Sequence, residues 1–154
     1  MTKVSDMFDA FKAAVAGELT GYQQIPDPFL AQETASPILA KGFSIAMGPG
    51  NPSARRDATC TFKIDRSVQI QLTRGIENTE TEITGYETTV KSIFEDQFLL
   101  LKYLGTNVTL GEVVVDVDYV GDNGLVVLPT ENNMGRHLDL TTTFLVTYQE
   151  NLNS

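Results

Sequence analysis

The stretch TCTFKIDRSVQIQLT, residues 59–73, alternates apolar and polar side chains along its whole length. Its even positions carry mainly apolar side chains, at Cys60, Phe62, Ile64, Arg66, Val68, Ile70 and Leu72. A period of two residues predicts a β-strand with an apolar and a polar face. At about 3.4 Å per residue it would span roughly 50 Å, about three times a usual strand. The alternative is a turn at Asp65, Arg66 and Ser67 that divides the run into two shorter strands.

The segment before this strand reads as its hairpin partner. Phe43, Ile45 and Met47 alternate with small residues, and the glycine- and proline-rich stretch GPGNPSARRD, residues 48–57, follows them. We therefore predict a β-hairpin over residues 41–74, with residues 48–57 as a projecting loop.

Helical spacing of apolar residues predicts a first amphipathic helix over residues 4–20. Ser5 or Asp6 is its candidate N-cap, and Gly21 lies just past its end. The next segment, residues 22–40, contains three prolines and predicts an extended arm over the surface rather than a regular element.

A second helix is predicted over residues 85–104. Thr84 and Glu87 have the spacing of a capping box, and Gly105 follows the last apolar residue. Its final turns, QFLLLKYL, are apolar nearly all round. This pattern indicates burial on two sides, in part against another chain.

The C-terminal part, residues 112–149, predicts three strands. EVVVDVDYV alternates, GDNG at residues 121–124 reads as a turn into LVVLP, and a last strand runs over residues 138–148. The order helix, hairpin, helix and three strands predicts one α+β domain, with a mainly antiparallel, mixed β-sheet packed by two α-helices.

Length, charge and hydropathy exclude several function classes. A chain of 154 residues suits one domain, and its formal net charge of −9 opposes tight binding to nucleic acid or to anionic membranes. An acidic surface suits a conduit through which DNA slides, and it equally suits plain solubility. There is no apolar run of membrane-spanning length. The lone Cys60 reads as a small buried hydrophobe.

Candidate chemical motifs are incomplete. DVDYVGDNGLVV, starting at Asp116, matches a calcium loop at Asp118 and Gly121 but has Val127 in place of its final acidic ligand. His137 has no nucleophile motif near it and reads as a surface or strand-edge histidine. We therefore predict no enzyme activity, no catalytic or metal-binding residue and no cofactor. Asp116 and Asp118 are expected on a solvated acidic sheet face.

Three arginines are the most informative charged residues. Arg55 and Arg56 lie beside the predicted loop tip, whereas Arg66 occupies the apolar register of the long strand. An arginine in that register must snorkel or meet a carboxylate. The carboxylate can belong to the same chain or to a neighbouring subunit.

The element order, with TGYETTVKSIFEDQF opening the second helix and TTTFLVTYQE in the last strand, resembles the tail terminator proteins of long-tailed bacteriophages. It is also similar to the related tail-completion and neck proteins. The resemblance covers nearly the whole chain and rests on the order and size of elements. It implies a virion structural protein that forms a hexameric ring at the head-proximal end of the tail tube, ends tail polymerisation and offers the head-attachment surface.

The same resemblance implies partners and a location. The partners are other copies of the chain, the tail tube protein and a neck or head-completion protein, while DNA passes without tight binding and no membrane is involved. The expected locations are the tail end of the virion and, during assembly, the host cytoplasm.

Candidate contact residues lie in the loop at residues 48–57, in the arm at residues 25–37 and in the long strand: Phe29, Pro49, Pro52, Arg55, Arg56 and Arg66. Asp116 and Asp118 are the candidates for facing a lumen. The alternatives are a head-completion, neck or tail tube subunit, or a small α+β ligand-binding domain or enzyme.

Overall fold

The long strand forms as one uninterrupted element in the computed structural model, which describes residues 3–25, 41–52, 61–76, 82–129 and 136–151. The elements in chain order are α1 (Lys3–Glu18), β1 (Gln23–Gln24), β2 (Lys41–Pro52), β3 (Thr61–Gly75), α2 (Glu82–Thr106), β4 (Asp116–Pro129) and β5 (Arg136–Asn151). The strands form one sheet in the order β1-β2-β3-β5-β4. The predicted α+β fold with a mixed, mostly antiparallel sheet is confirmed.

The length of β3 is explained by its two neighbours. It pairs with β5 from Thr61, opposite Asn151, to Gly75, opposite His137, and with β2 on its other side. The predicted strand at residues 59–73 is therefore confirmed apart from a shift of two residues, and the alternative turn at Asp65–Ser67 is wrong. Cys60 lies outside the described residues.

The hairpin is confirmed, but its turn lies later than predicted. β2 continues to Pro52 through a register shift between Met47 and Gly50, so residues 48–52 are strand rather than loop. Prolines are tolerated here because Pro49 lies in the irregular part and Pro52 ends a strand that β1 borders for only two residues. Residues 53–57 lie outside the described residues.

β4 corrects the prediction of a turn at GDNG. This sequence stays inside one strand, which pairs with β5 and has register shifts between Tyr119 and Gly121 and between Asp122 and Leu125. The Asn123 Oδ1 atom accepts a hydrogen bond of 3.1 Å from the backbone N–H of Thr141. The Asn123 side chain thus takes the place of a backbone acceptor in the pairing with β5. The residues of GDNG therefore form bulges within the strand and do not reverse the chain.

The ends of the helices also differ from the prediction. α1 occupies residues 3–18 instead of 4–20, and Gly21 follows it with φ of 84°. α2 begins at Glu82, so Thr84 lies inside the helix and the predicted start at residue 85 is wrong. The spacing was misleading because residues three apart also lie on the same side of a helix. α2 continues past Gly105 because the Thr106 hydroxyl and Asn107 amide donate to carbonyls of its last turn.

Both helices pack on one face of the sheet, called the apolar face, which carries the even-numbered side chains of β3 and β5. Phe11 of α1 contacts Phe144 with ring centroids 6.3 Å apart. The core consists of buried residues from both helices and this face: Met7, Phe11, Val15, Ile93, Leu100, Leu104, Val68, Ile70, Leu72, Leu138, Leu140, Phe144 and Val146. Each fully buried side chain of this size contributes about 1.5–3 kcal/mol. Phe62 was predicted on the core side, but it is 49% exposed and is the second residue of β3.

The inner side of α2 is also fixed by polar contacts. The Asp96 carboxylate accepts hydrogen bonds from the Tyr22 hydroxyl at 2.6 Å and from the Arg74 guanidinium at 3.1 Å. The Gln97 amide donates to Thr142 at 3.0 Å and to Asp122 at 3.1 Å. Tyr22 and Ile25, at the start of the predicted arm, are buried, and Gln23–Gln24 pairs in parallel with β2. The arm beyond Ile25 lies outside the described residues.

Candidate assembly surfaces

The outward side of α2 is an apolar surface. At about 100° per residue, Phe94, Phe98 and Leu99 lie within about 140° of one another and point away from the buried Ile93 and Leu100. All three are exposed, and Phe98 is the most exposed at 64%. Together with Val90, Lys91 and Glu95 they line an open groove of about 650 Å³. We call these six residues the α2 surface. The predicted second side of burial is therefore not covered by the part of the chain that the structure describes.

The second apolar surface lies along β4, at the edge of the sheet. Tyr119 and Val127 pair with Phe144 and Leu138, so their side chains lie on the apolar face. They are 50% and 43% exposed, and Val120 at the first bulge is 62% exposed. We call Tyr119 and Val127 the β4 surface. The outer backbone edge of β4 has no strand partner among the described residues.

Asp116 and Asp118 lie on the other face of the sheet, called the polar face, which carries the odd-numbered side chains of β3 and β5. They pair with Thr147 and Leu145, respectively. Asp65 lies in the same cross-strand row, where its carboxylate accepts a hydrogen bond of 2.7 Å from the Thr147 hydroxyl. Neither described helix packs on this face. Three carboxylates therefore share the half of this face that contains the start of β3 and the end of β5, which we call the far half; the other half is the near half. The stretch in which Asp116 and Asp118 resemble a calcium loop is part of a paired strand.

Arg66 makes contacts within the chain. Its guanidinium donates to the Tyr148 hydroxyl at 3.1 Å and to the Gly48 carbonyl at 2.9 Å, and it lies 5.9 Å from the centre of the Tyr148 ring. These partners are neutral. The position of Arg66 is therefore explained without a carboxylate from the same chain or from a neighbouring subunit. Gly50 makes room for it, because a Cβ there would lie 2.6 Å from a guanidinium nitrogen. The side chain thus fixes the irregular part of β2 onto β3 and β5.

The other candidate contact residues can be placed only in part. Pro49 and Pro52 lie in the far half of β2, on the same hairpin as Arg66. Phe29, Arg55 and Arg56 lie outside the described residues. The structure therefore brings Pro49, Pro52 and Arg66 to one region and places Asp116 and Asp118 on the polar face beside it.

The near half of the polar face contains a buried polar cluster that the sequence reading missed. The Asp139 carboxylate accepts hydrogen bonds from the Thr73 hydroxyl at 2.7 Å and the Gln71 amide at 3.1 Å, and Ser44 donates to Gln71 at 3.0 Å. All four residues are at most 5% exposed. The alternation of β3 placed Gln71 and Thr73 on the polar face, but alternation cannot tell a solvated face from a buried one.

His137 belongs to this cluster, so its prediction as a surface or strand-edge histidine is wrong. It is 0% exposed, its Nε2 atom lies 3.9 Å from Asp139 Oδ1, and neither ring nitrogen has a hydrogen-bond partner in the part of the chain that the structure describes. Burial lowers the pKa of His137, while burial raises the pKa of Asp139. Ser44 donates to Gln71 and not to the histidine, so the cluster has no activated nucleophile.

Comparison of the sequence with known protein families and with curated proteins finds no match.

Among the described residues, no three His, Cys, Asp or Glu side chains lie together as a metal site would require. In the same ranges, neither helix combines the length and apolar character needed to span a membrane.

Proposed function

We propose that this protein is a virion structural protein that forms a ring at the head-proximal end of a phage tail tube, where it ends tail polymerisation and offers the surface for head attachment. The observation that carries the proposal is that one chain presents two unlike uncovered apolar surfaces, the α2 surface and the β4 surface. Large exposed apolar side chains in a group mark interaction sites. A closed ring of identical subunits requires two unlike surfaces on every copy.

The polar face supports the same function. Asp65, Asp116 and Asp118 lie side by side in its far half, away from both helices. In a ring that turns this face inward, the carboxylates would repel a phosphate backbone, so DNA could pass without being held. The net charge of −9 acts in the same direction.

The hairpin supports a role in contacts with neighbours. β2 and β3 are held together to Pro52 and Ile64, and Arg66 stiffens this part through Tyr148 and Gly48. A stiff extension holds its residues in place before binding, which reduces the ordering cost of association.

Negative-stain electron microscopy of the purified protein tests the proposal. We expect closed rings with a central opening, six subunits being the number that the resemblance implies. Long open tubes would instead support the tail tube alternative. Particles of single-chain size at every concentration would contradict assembly by the protein alone.

A further inference from the structure

We propose that the α2 surface of one copy binds the β4 surface of the next, so that copies join head to tail. The inference rests on the ring assembly proposed above and names the two surfaces that meet in it. The partner is thus a second copy of this chain, bound through a different surface from the one that it offers.

The first argument is the incomplete helix layer. α1 and α2 cover the apolar face over β3 and β5, but Tyr119 and Val127 on the same face of β4 are about half exposed. α2 reaches β4 through the hydrogen bond from Gln97 to Asp122, so the uncovered part of the apolar face is the part of β4 around Tyr119 and Val127. A helix from a neighbour would continue the layer, and its apolar side would bury the uncovered part of the strand.

The second argument is the shape and character of the α2 surface. Phe94, Phe98 and Leu99 form a short apolar row along a helix of 25 residues, which is long enough to lie across a strand. Aromatic side chains are the commonest anchors of protein interfaces because they bury much area with few rotatable bonds. Phe98, the most exposed of the row, is the expected anchor.

The third argument is charge complementarity. The segment from Gly105 to Pro129 has four acidic residues and no basic one. Asp122 lies on the apolar face between Tyr119 and Val127, and hydrogen bonds from Gln97 and the Gly124 backbone lower its pKa. The two lysines of α2, Lys91 and Lys102, are both exposed and lie on its outward side, at about 60° and 80° from Phe94. The same side of α2 carries the exposed Glu87 and Glu95, at about 20° and 100° from Phe94, so the complementarity is limited to a pairing of Asp122 with one of the two lysines.

The test uses one substitution on each surface and a matched control. Phe98→Asp disables the α2 surface and Val127→Asp disables the β4 surface; the two side chains are 64% and 43% exposed, so the fold tolerates the change. Val108→Asp, in the exposed turn after α2, is the control. Sedimentation velocity gives the size of each variant alone and of the mixed Phe98→Asp and Val127→Asp proteins.

We expect each surface variant to require at least about tenfold more protein for half-assembly than the wild type, and the Val108→Asp protein to assemble normally. The mixture of the two surface variants should form a one-to-one pair that grows no further, because each retains the surface that the other lacks. If the Val127→Asp protein assembles like the wild type, or if the mixture forms no pair, the inference is overturned.

The outcomes for the wild type separate this inference from the ring itself. Rings that persist in both surface variants would keep the proposed function and overturn this contact. Open filaments that both variants abolish would support this contact and contradict a closed ring. A wild type that stays a single chain at every concentration would overturn both.

Discussion

The two helices use the same sheet face in different ways. α1 buries Met7, Phe11 and Val15 and has no fully exposed large apolar side chain. α2 buries Ile93, Leu100 and Leu104, and it also exposes the row containing Phe94 and Phe98. A helix that stabilises only its own fold needs apolar residues on one side, the side that packs on the sheet. The proposed contact between copies would cover the second apolar side of α2, which has no counterpart on α1.

The largest expected effect separates the two helices directly. Phe11→Ala removes a buried ring that packs on Phe144, so we expect the free energy of unfolding to fall by about 3–5 kcal/mol. Phe98→Ala should change the same quantity by less than about 0.5 kcal/mol while weakening assembly. Urea titration at a protein concentration where the chain is monomeric measures both. Equal losses in the two variants would contradict the distinction between the helices.

A second effect separates the inner and outer sides of α2. Asp96→Ala removes the acceptor of two hydrogen bonds, from the Tyr22 hydroxyl and from the Arg74 guanidinium, so we expect a loss of about 1–3 kcal/mol in urea titration. Glu95→Ala changes the neighbouring residue on the outer side and serves as the control, with an expected change of less than about 0.5 kcal/mol. A small loss for Asp96→Ala would show that packing alone holds α2.

The third effect extends the comparison to the polar face. Because burial lowers the pKa of His137, the unfolded chain binds more protons at this residue than the folded chain as pH falls through about 6.5. This residue therefore destabilises the fold on acidification, with a slope of at most about 1.4 kcal/mol per pH unit. Denaturation of the wild type and His137→Phe between pH 7.5 and 5.5 measures it.

We expect the His137→Phe protein to lose less stability over this range. The raised pKa of Asp139 acts in the opposite direction at lower pH, where the folded chain binds the extra proton, and Asp139 is present in both proteins. Identical pH profiles would mean that His137 does not titrate differently on folding.

The smallest expected effect concerns the hairpin. Gly50→Ala places a Cβ against the Arg66 guanidinium, which must move and lose its bonds to Tyr148 and Gly48, so we expect a loss of about 1 kcal/mol. In a protein that already carries Arg66→Met, Gly50→Ala should cost much less. An equal cost in both backgrounds would assign the effect to the backbone at Gly50 and not to the arginine.

Hydropathy periodicity predicted the elements that depend on local pattern. Residues 59–73 alternate with only Arg66 breaking the apolar register, so β3 and its pairing with β2 followed from the sequence, as did both helices. GDNG was misread because the same residues that make a turn also make bulges, and only pairing with β5 decides between them. Gly105 failed as a helix stop because Thr106 and Asn107 supply the missing donors.

The candidate surfaces were predicted in part. QFLLLKYL was predicted to be buried on two sides, whereas Phe98 and Leu99 are exposed and burial against another chain stays a prediction. The alternation correctly placed Asp116 and Asp118 on one face. Burial of the cluster around Asp139 depends on long-range packing, so residue type alone could not place His137 inside. The neutral partners of Arg66 depend on the bulge in β2, which no local signal marks.

The native mass of the wild type, measured by light scattering over a wide range of protein and salt concentrations, tests the central claim most directly. We predict one discrete closed oligomer, a hexamer, or a single chain that converts to it as concentration rises. Only the mass of a single chain under all these conditions would contradict the claim that this protein assembles through its own two surfaces.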